Sequence, residues 1–142
     1  HYTALQENLK INVCLFENMG WGCIDNLQNA QGTDTFGTVF RARNPKTGML
    51  DGDEIDVDFA KIAEGYGAKS YTIRTSDELR SALEDAKKQS RSVLFDIKVL
   101  PKTMTPGFES RWRVGVAEVS KSETVAAAYA DMQKHIKETF DY

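Results

Sequence analysis

The sequence has 142 residues, of which 41% are hydrophobic and 10% aromatic, and this is enough to build the core of one compact domain. Its 18 basic and 21 acidic residues leave a formal charge of −3, without the basic stripe that favours nucleic acid or an anionic membrane as a partner. No apolar run is long enough to span a bilayer, so neither a nucleic acid nor a membrane is expected as a partner.

Cysteine usage indicates the compartment. Cys14 and Cys23 fit neither a zinc knuckle nor a redox Cys-x-x-Cys pair, and two cysteines cannot form a disulfide framework in a chain of this length. We therefore expect a reducing, cytoplasmic setting. The sequence begins with His1 instead of an initiator Met, which suggests part of a longer protein.

The first part of the chain predicts a helix, a strand and a long loop. Leu5 and Leu9 are four residues apart in a helix-compatible segment over 3–9. An apolar run within residues 11–16 predicts a short buried strand, which ends in a polar turn beginning at Glu17. Residues 29–56 are rich in Gly, Asn, Asp, Thr and Pro without periodicity, so they predict a long loop of the kind that is functional or mobile.

Helices and strands then alternate. Asp58 is a predicted N-cap for a helix that ends near Gly65 or Gly67, and residues 69–73 follow as a strand. Thr75 and Glu78 form a predicted capping box for the next helix. The residues predicted to be buried by the first helix are Phe59, Ile62 and Ala63, and those on the apolar stripe of the second are Leu79, Ala82, Leu83 and Ala86.

The last third predicts a strand at 92–99, a surface tail at 101–120 and a terminal helix at 121–140. Ser120 and Glu123 are the predicted caps of this helix; its apolar stripe is Val125, Tyr129, Met132 and Ile136. Strands that alternate with helices predict a doubly wound α/β fold, a mostly parallel sheet flanked by helices, over a single domain 1–142. Ligands are then expected beyond the carboxyl ends of the strands.

Several residues that could form functional sites also have an ordinary structural explanation. His1 and His135 are the only histidines, too few for a multi-histidine metal centre and poorly placed for a catalytic triad. Four alternating acidic residues suggest calcium, but their glycine has the wrong offset for an EF-hand loop, and a solvated acidic loop is favoured; they are Asp51, Asp53, Asp56 and Asp58. Arg41 and Arg43 suit anion binding, although a solvated edge is favoured. Arg111, Trp112 and Arg113 could close over a ligand, although plain packing of Trp112 is favoured.

The turn after the first strand, Asn18-Met19-Gly20, has two interpretations. Asn18 offers a neutral oxygen, and Gly20 lets the backbone bend so that its carbonyl turns toward the same ion. An octahedral Mg²⁺ site also needs a carboxylate and phosphate oxygens. Asn and Gly are equally the commonest turn formers, so these residues alone leave a ligand site and a bare turn both open.

A family resemblance adds to this interpretation. The segment "TALQENLKINVCLFENMGWG" resembles the second half of the thiamine-diphosphate motif, in which a helix and a strand follow a Gly-Asp-Gly turn and an Asn closes the site. More narrowly, "WGCIDNLQ", "FGTVFRARNPKTGMLDG", "DFAKIAEGYGAK" and "PGFESRW" followed by "VAEVS" resemble the trihydroxycyclohexanedione hydrolases of myo-inositol catabolism. The resemblance extends over roughly residues 3–125.

The resemblance implies an N-terminally truncated thiamine-diphosphate-binding fold, with thiamine diphosphate and Mg²⁺ as cofactors. The Asn18 side chain and the Gly20 carbonyl would be metal ligands, Trp21 would bind the cofactor, and Cys23 and Ile24 would form a pocket wall. The family's anionic ligand, an Asp, would lie roughly twenty-seven residues before Asn18, which is before His1. No catalytic residue is expected within the chain.

The implied reaction is hydrolytic opening of a cyclic 1,2-dione to 5-deoxyglucuronate. Because the remaining domains of the same enzyme, and a second subunit, would complete the site, we expect a homo-oligomer in full length and no activity from these residues alone. Two alternatives stay open. One is another thiamine-diphosphate enzyme, such as an acetolactate-synthase-like enzyme or a 2-oxo-acid decarboxylase, and the other is a noncatalytic doubly wound binding module.

Overall fold

A computed structural model describes residues 2–101 and 115–139. The helices are α1 (Tyr2–Gln6), α2 (Gly22–Ala30), α3 (Phe59–Gly65), α4 (Ser76–Lys88) and α5 (Glu123–Glu138), and the strands are β1 (Asn12–Glu17), β2 (Lys69–Ile73) and β3 (Val93–Lys98). The chain divides into two compact units. In the described ranges, the first unit contains residues 2–19 and 55–101, and the second contains residues 20–54 and 115–139.

The first unit is built on a parallel three-stranded sheet in the order β1-β3-β2. Side chains alternate between its faces. On one face α4 covers the main core, where Phe95 is 1% exposed and its ring stacks on Tyr71 with the centroids 5.6 Å apart. The other buried members of this core are Ile73, Ala82, Ala86, Val93 and Ile97.

The opposite face of the sheet is covered by α3. Ala63, Ala68 and Leu94 form a second buried cluster, with Val13 packed against it. Helices therefore lie on both faces of a parallel sheet, which confirms the predicted doubly wound α/β class.

Two local caps agree with the sequence because their partners are neighbours in the chain. Asp58 accepts a hydrogen bond from the Lys61 backbone N–H at the start of α3. The Thr75 hydroxyl accepts from the Glu78 N–H, and the Glu78 carboxylate accepts from the Thr75 N–H, so the capping box of α4 is complete.

The predicted burial of the first strand is wrong. Cys14 is exposed and Phe16 is 66% exposed, whereas Val13 and Leu15 are half-buried. Within the described residues β1 pairs only with β3, and the side chains on one of its faces, Asn12, Cys14 and Phe16, are exposed.

Two helix faces also differ from prediction. Ala60 and Ala63 are buried in α3, whereas Ile62 is 51% exposed and Phe59 only half-buried, because small residues let the helix lie close to the sheet. In α4, Leu83 is 41% exposed although Ala82 and Ala86 are buried.

The second unit contains a helix that the sequence did not predict. Residues Gly22–Ala30 form α2, in a segment interpreted as a turn running into the predicted 29–56 loop. Tertiary contacts stabilise it, since the buried Asp25 carboxylate and the Gln28 side-chain oxygen both accept hydrogen bonds from the Thr38 hydroxyl. From residue 31 to residue 58 there is no regular helix or strand, only two isolated bridges.

The terminal helix α5 begins at Glu123 after Ser122, so the predicted cap at Ser120 is wrong. Val125 and Met132 are its buried residues, while Ile136 is 43% exposed. Most of the predicted surface tail, including Arg111, Trp112 and Arg113, lies outside the described residues, as does His1. No helix in the described ranges is long and apolar enough to cross a membrane.

The hydrogen bond from the Tyr71 hydroxyl to Asp85 Oδ2, 2.5 Å long, gives a pH prediction. Burial, and then the Asp85 carboxylate, raise the pKa of Tyr71 to about 12 from 10.0. The folded state therefore holds this proton more tightly than the unfolded state, and its stabilising contribution is complete below pH 10 and is lost as the pH rises toward 12.

We expect Tyr71→Phe to lower the free energy of unfolding at pH 7 by about 1 kcal/mol and to remove this alkaline component of the pH dependence. Urea unfolding between pH 7 and pH 12 measures both effects. Tyr2→Phe is the matched control, because Tyr2 is 67% exposed. Equal effects of the two substitutions would contradict a role for the Tyr71 hydrogen bond.

Candidate functional site

The predicted N-x-G turn follows the carboxyl end of β1. Asn18 is half-buried immediately after the strand, and Met19 has a left-handed backbone with φ 63°. This conformation costs a non-glycine residue about 1–2 kcal/mol. Glu17, the last residue of β1, compensates because its Oε1 accepts a hydrogen bond from the Met19 N–H at 2.5 Å.

The charged side chains beside this turn converge on Lys98, the last residue of β3. Its Nζ lies 3.0 Å from Asp56 Oδ1, 3.1 Å from Asp96 Oδ2 and 3.6 Å from Glu17 Oε2. It also donates a hydrogen bond to the Val57 carbonyl at 3.1 Å. We refer to Glu17, Asp56, Asp96 and Lys98 as the Lys98 cluster.

Three members of the Lys98 cluster are shielded from solvent, whereas the Asp56 side chain is 59% exposed. Asp96 is 0% and Glu17 5% exposed, and removing one partner from such a buried ionic group is strongly destabilising. Burial opposes the charge on Lys98, but the carboxylates of Asp56 and Asp96 outweigh it, so the pKa of Lys98 is raised above its usual value. The sequence alone did not predict this cluster; its one local signal is a pair of charged residues, Asp96 and Lys98, within an otherwise apolar strand.

The second unit begins at Gly20, whose backbone runs against residues 38 and 39. A Cβ added to Gly20 would lie 2.4 Å from the Thr38 carbonyl oxygen and 2.9 Å from Val39 Cα. The next residue, Trp21, donates its N–H to the same Thr38 carbonyl at 2.7 Å. Glycine is therefore required at position 20 for the close approach of two backbone segments.

The other predicted site residues lie at the start of α2. Trp21 occupies the N-cap position without a side-chain capping bond and is 63% exposed. Cys23 is exposed and Ile24 is 48% exposed, so their predicted role as a pocket wall stays a prediction. A helix start without a side-chain cap leaves N–H groups that suit an anion.

Arg41 and Arg43, the predicted anion-binding candidates in the second unit, make contacts within the loop. Arg41 lies 3.3 Å from Glu54 Oε1 and donates to the Gly52 carbonyl at 3.2 Å. Arg43 donates to the Gly48 carbonyl. These two arginines therefore have loop partners of their own.

Three of the four acidic candidates, and His135, make structural contacts. Asp51 accepts a hydrogen bond from the Thr47 hydroxyl, Asp56 belongs to the Lys98 cluster and Asp58 caps α3. His135 lies on α5, 3.6 Å from Asp131 and 3.5 Å from Glu138.

The turn residues offer some, but not all, of the ligands that a magnesium ion needs. Mg²⁺ prefers six oxygen ligands in an octahedron, and the Asn18 amide and the Gly20 carbonyl are oxygens of the right kind. Across residues 2–101 and 115–139, no group of three or more His, Cys, Asp or Glu side chains is placed to hold a metal ion. Glu17 is already engaged with Met19 and Lys98, so an anionic ligand has to come from other residues.

The close approach at Gly20 gives a stability prediction. We expect Gly20→Ala to lower the free energy of unfolding by about 1–3 kcal/mol, because its Cβ overlaps fixed backbone atoms. Gly65→Ala is the control, since nothing lies within 4 Å of the Cβ position there and Ala favours a helix. Urea unfolding of both variants measures the difference; a Gly20→Ala variant as stable as the control would contradict the close approach.

Comparison with known proteins places the chain beside thiamine-dependent enzymes. The profile of the family "Thiamine pyrophosphate enzyme, C-terminal TPP binding domain" matches residues 2–97. A protein of Geobacillus thermodenitrificans (strain NG80-2), named 3D-(3,5/4)-trihydroxycyclohexane-1,2-dione hydrolase, is 58% identical over 135 residues, which are 95% of this chain and 21% of that protein.

Two relatives from Bacillus are similarly close. A Bacillus cereus protein named 3D-(3,5/4)-trihydroxycyclohexane-1,2-dione hydrolase 1 is 56% identical over 140 residues, covering 99% of this chain and 22% of the relative. The 3D-(3,5/4)-trihydroxycyclohexane-1,2-dione hydrolase of Bacillus thuringiensis (strain Al Hakam) is 55% identical with the same coverage. The chain thus spans about a fifth of the length of the curated relatives that it matches.

Proposed function

We propose, because the chain belongs to the family of the thiamine pyrophosphate enzyme C-terminal TPP binding domain, that it is the diphosphate-binding part of a hydrolase acting on 3D-(3,5/4)-trihydroxycyclohexane-1,2-dione. The observation that carries this proposal is 55–58% identity to hydrolases of that name over 95–99% of the chain. The reaction would break one ring C–C bond with water and yield 5-deoxyglucuronate.

Within this proposal Asn18 and Gly20 hold Mg²⁺ through the side-chain and backbone oxygens, respectively. Both ligands are neutral, so the ion keeps enough positive charge to bind a diphosphate. The first residues of α2, Gly22 and Cys23, supply N–H groups and the positive end of the helix dipole for the same anion. Thiamine diphosphate, when bound, supplies the carbanion chemistry that C–C cleavage requires.

The remaining domains of the same enzyme complete the proposed site. They would contribute the contacts to the cyclic dione, whereas the anionic metal ligand would be an Asp roughly twenty-seven residues before Asn18, since the turn contributes neutral oxygens. We propose a homo-oligomer in the cytoplasm, a setting in agreement with the two free cysteines, Cys14 and Cys23. Cys23 and Ile24 would line the pocket; neither is a catalytic residue in this proposal.

The substrate is tested with the full-length enzyme loaded with thiamine diphosphate and Mg²⁺. We expect turnover of the cyclic dione to an acid product, detected by mass spectrometry, and little turnover of pyruvate or benzoylformate. A preference for 2-oxo acids would instead assign an acetolactate-synthase-like enzyme or a decarboxylase. Absence of cofactor binding, together with absence of a Gly-Asp-Gly segment upstream of these residues, would indicate a noncatalytic binding module.

The metal ligand is tested by Asn18→Ala in the full-length enzyme. We expect the apparent Kd for Mg²⁺, measured by calorimetry at saturating thiamine diphosphate, to rise about tenfold or more, which corresponds to a loss of about 1.4 kcal/mol. The melting temperature of the cofactor-free protein should stay close to that of the wild type, because the half-buried Asn18 side chain lies in a turn.

Asn12→Ala is the matched control, because Asn12 is an exposed asparagine at the opposite end of β1. Unchanged Mg²⁺ affinity in Asn18→Ala would remove this residue from the proposed site. The 142 residues alone should bind thiamine diphosphate and Mg²⁺ weakly or not at all, and tight Mg²⁺-dependent binding by them would show that no further ligand is needed.

A further inference from the structure

We infer that Glu17 is a positioning residue that presents Asn18 to the metal ion. Its carboxylate fixes the peptide group between Asn18 and Met19, and Lys98 fixes the carboxylate. The inference rests on the proposed function, in which Asn18 is a magnesium ligand. It assigns to Glu17 and Lys98 a role that the turn residues themselves cannot supply.

The two oxygens of the Glu17 carboxylate make different contacts. Oε1 accepts the hydrogen bond from the Met19 N–H at 2.5 Å. Oε2 accepts no hydrogen bond within the described residues and lies 3.6 Å from Lys98 Nζ. One oxygen therefore orients the turn, and the other is compensated by the ammonium group at the end of the neighbouring strand.

Glu17 restrains a backbone conformation that the local sequence does not favour. Met19 has φ 63°, a region in which a side chain with a Cβ is strained. A hydrogen bond to an ionised carboxylate is stronger than one between neutral groups. Glu17 is 5% exposed, so water competes little for this bond, and the Asn18–Met19 peptide is held before any ion binds.

Glu17 does not itself have the surroundings of a metal ligand. A cation at its Oε2 would face the ammonium of Lys98, and Lys98 is held in place by Asp56 at 3.0 Å and Asp96 at 3.1 Å. Its Oε1 is occupied by Met19. Because both oxygens are engaged within the chain, Glu17 acts on the metal through the position of Asn18.

The test compares two substitutions of Glu17 in the full-length enzyme, both of which keep the length of the side chain. Glu17→Gln retains a side-chain oxygen that accepts from the Met19 N–H, and Lys98 keeps Asp56 and Asp96 as partners. Glu17→Met retains the length but has no comparable acceptor. We expect Glu17→Met to raise the apparent Kd for Mg²⁺ about 10- to 100-fold, the usual effect of losing a group that orients a metal ligand, and Glu17→Gln to restore most of the affinity.

Two further measurements separate positioning from folding. The melting temperature of the cofactor-free protein shows whether each variant folds, and Glu17→Ala replaces Glu17→Met if the latter does not. Hydrogen exchange of the peptide that contains the Met19 amide, also without cofactor, should be faster in Glu17→Met than in the wild type, and close to the wild type in Glu17→Gln.

The outcomes distinguish this inference from the proposed function. If Asn18→Ala weakens Mg²⁺ binding but Glu17→Met does not, or if Glu17→Gln weakens it as much as Glu17→Met, the positioning role is overturned and the ligand assignment stands. If Asn18→Ala leaves Mg²⁺ affinity unchanged, the ligand assignment fails and the positioning role fails with it.

Discussion

The carboxyl end of the sheet depends on the ion pairs that the ammonium group of Lys98 makes. It lies within 3.6 Å of carboxylate oxygens from Glu17, Asp56 and Asp96, two of which belong to almost fully buried residues. Without this charge, the buried carboxylates of Glu17 and Asp96 would face no opposite charge, which costs more than an exposed ion pair contributes. The ends of β1 and β3, which also pair through their backbones, and the segment leading into α3 all contact this side chain.

The sheet face beneath α3 is apolar near the amino ends of the strands and charged at their carboxyl ends. The candidate site follows the charged end. The register pairs Val13 with Leu94 near the amino ends and Glu17 with Lys98 at the carboxyl ends. An apolar pair thus supports the helix, whereas a charged pair borders the loops. Polar groups at the carboxyl edge orient the turn that follows β1, in keeping with the general location of ligands in parallel α/β sheets.

Asn18 and Gly20 meet different structural demands although they are two residues apart. Asn18 follows a strand in the first unit and precedes a strained Met19 that Glu17 restrains. Gly20 starts the second unit, where its lack of a Cβ permits contact with the backbone of Thr38. The requirement for glycine is therefore steric, and contacts within the protein specify the turn.

The sequence by itself determined the features whose partners are close along the chain. The Asp58 cap, the Thr75–Glu78 capping box and the strand Lys69–Ile73 agree with the structure, because they depend on contacts three or four residues apart or on alternation within one strand. The alternating order of elements was sufficient for the doubly wound class. The resemblance of the turn at Asn18 and of motifs elsewhere in the chain to thiamine-diphosphate enzymes indicated the cofactor, whereas the turn residues alone left it open.

Only the tertiary structure decided which surfaces are buried and which charges meet. Helix α2 contains several weak helix formers and is supported by contacts with Thr38. The exposure of Phe16 is likewise not evident from the apolar run of β1. Lys98 and Asp56 are 42 residues apart, so no local pattern predicts their contact. Periodicity reports which side of an element is apolar, whereas packing of distant segments determines what covers that side and which buried charge is compensated.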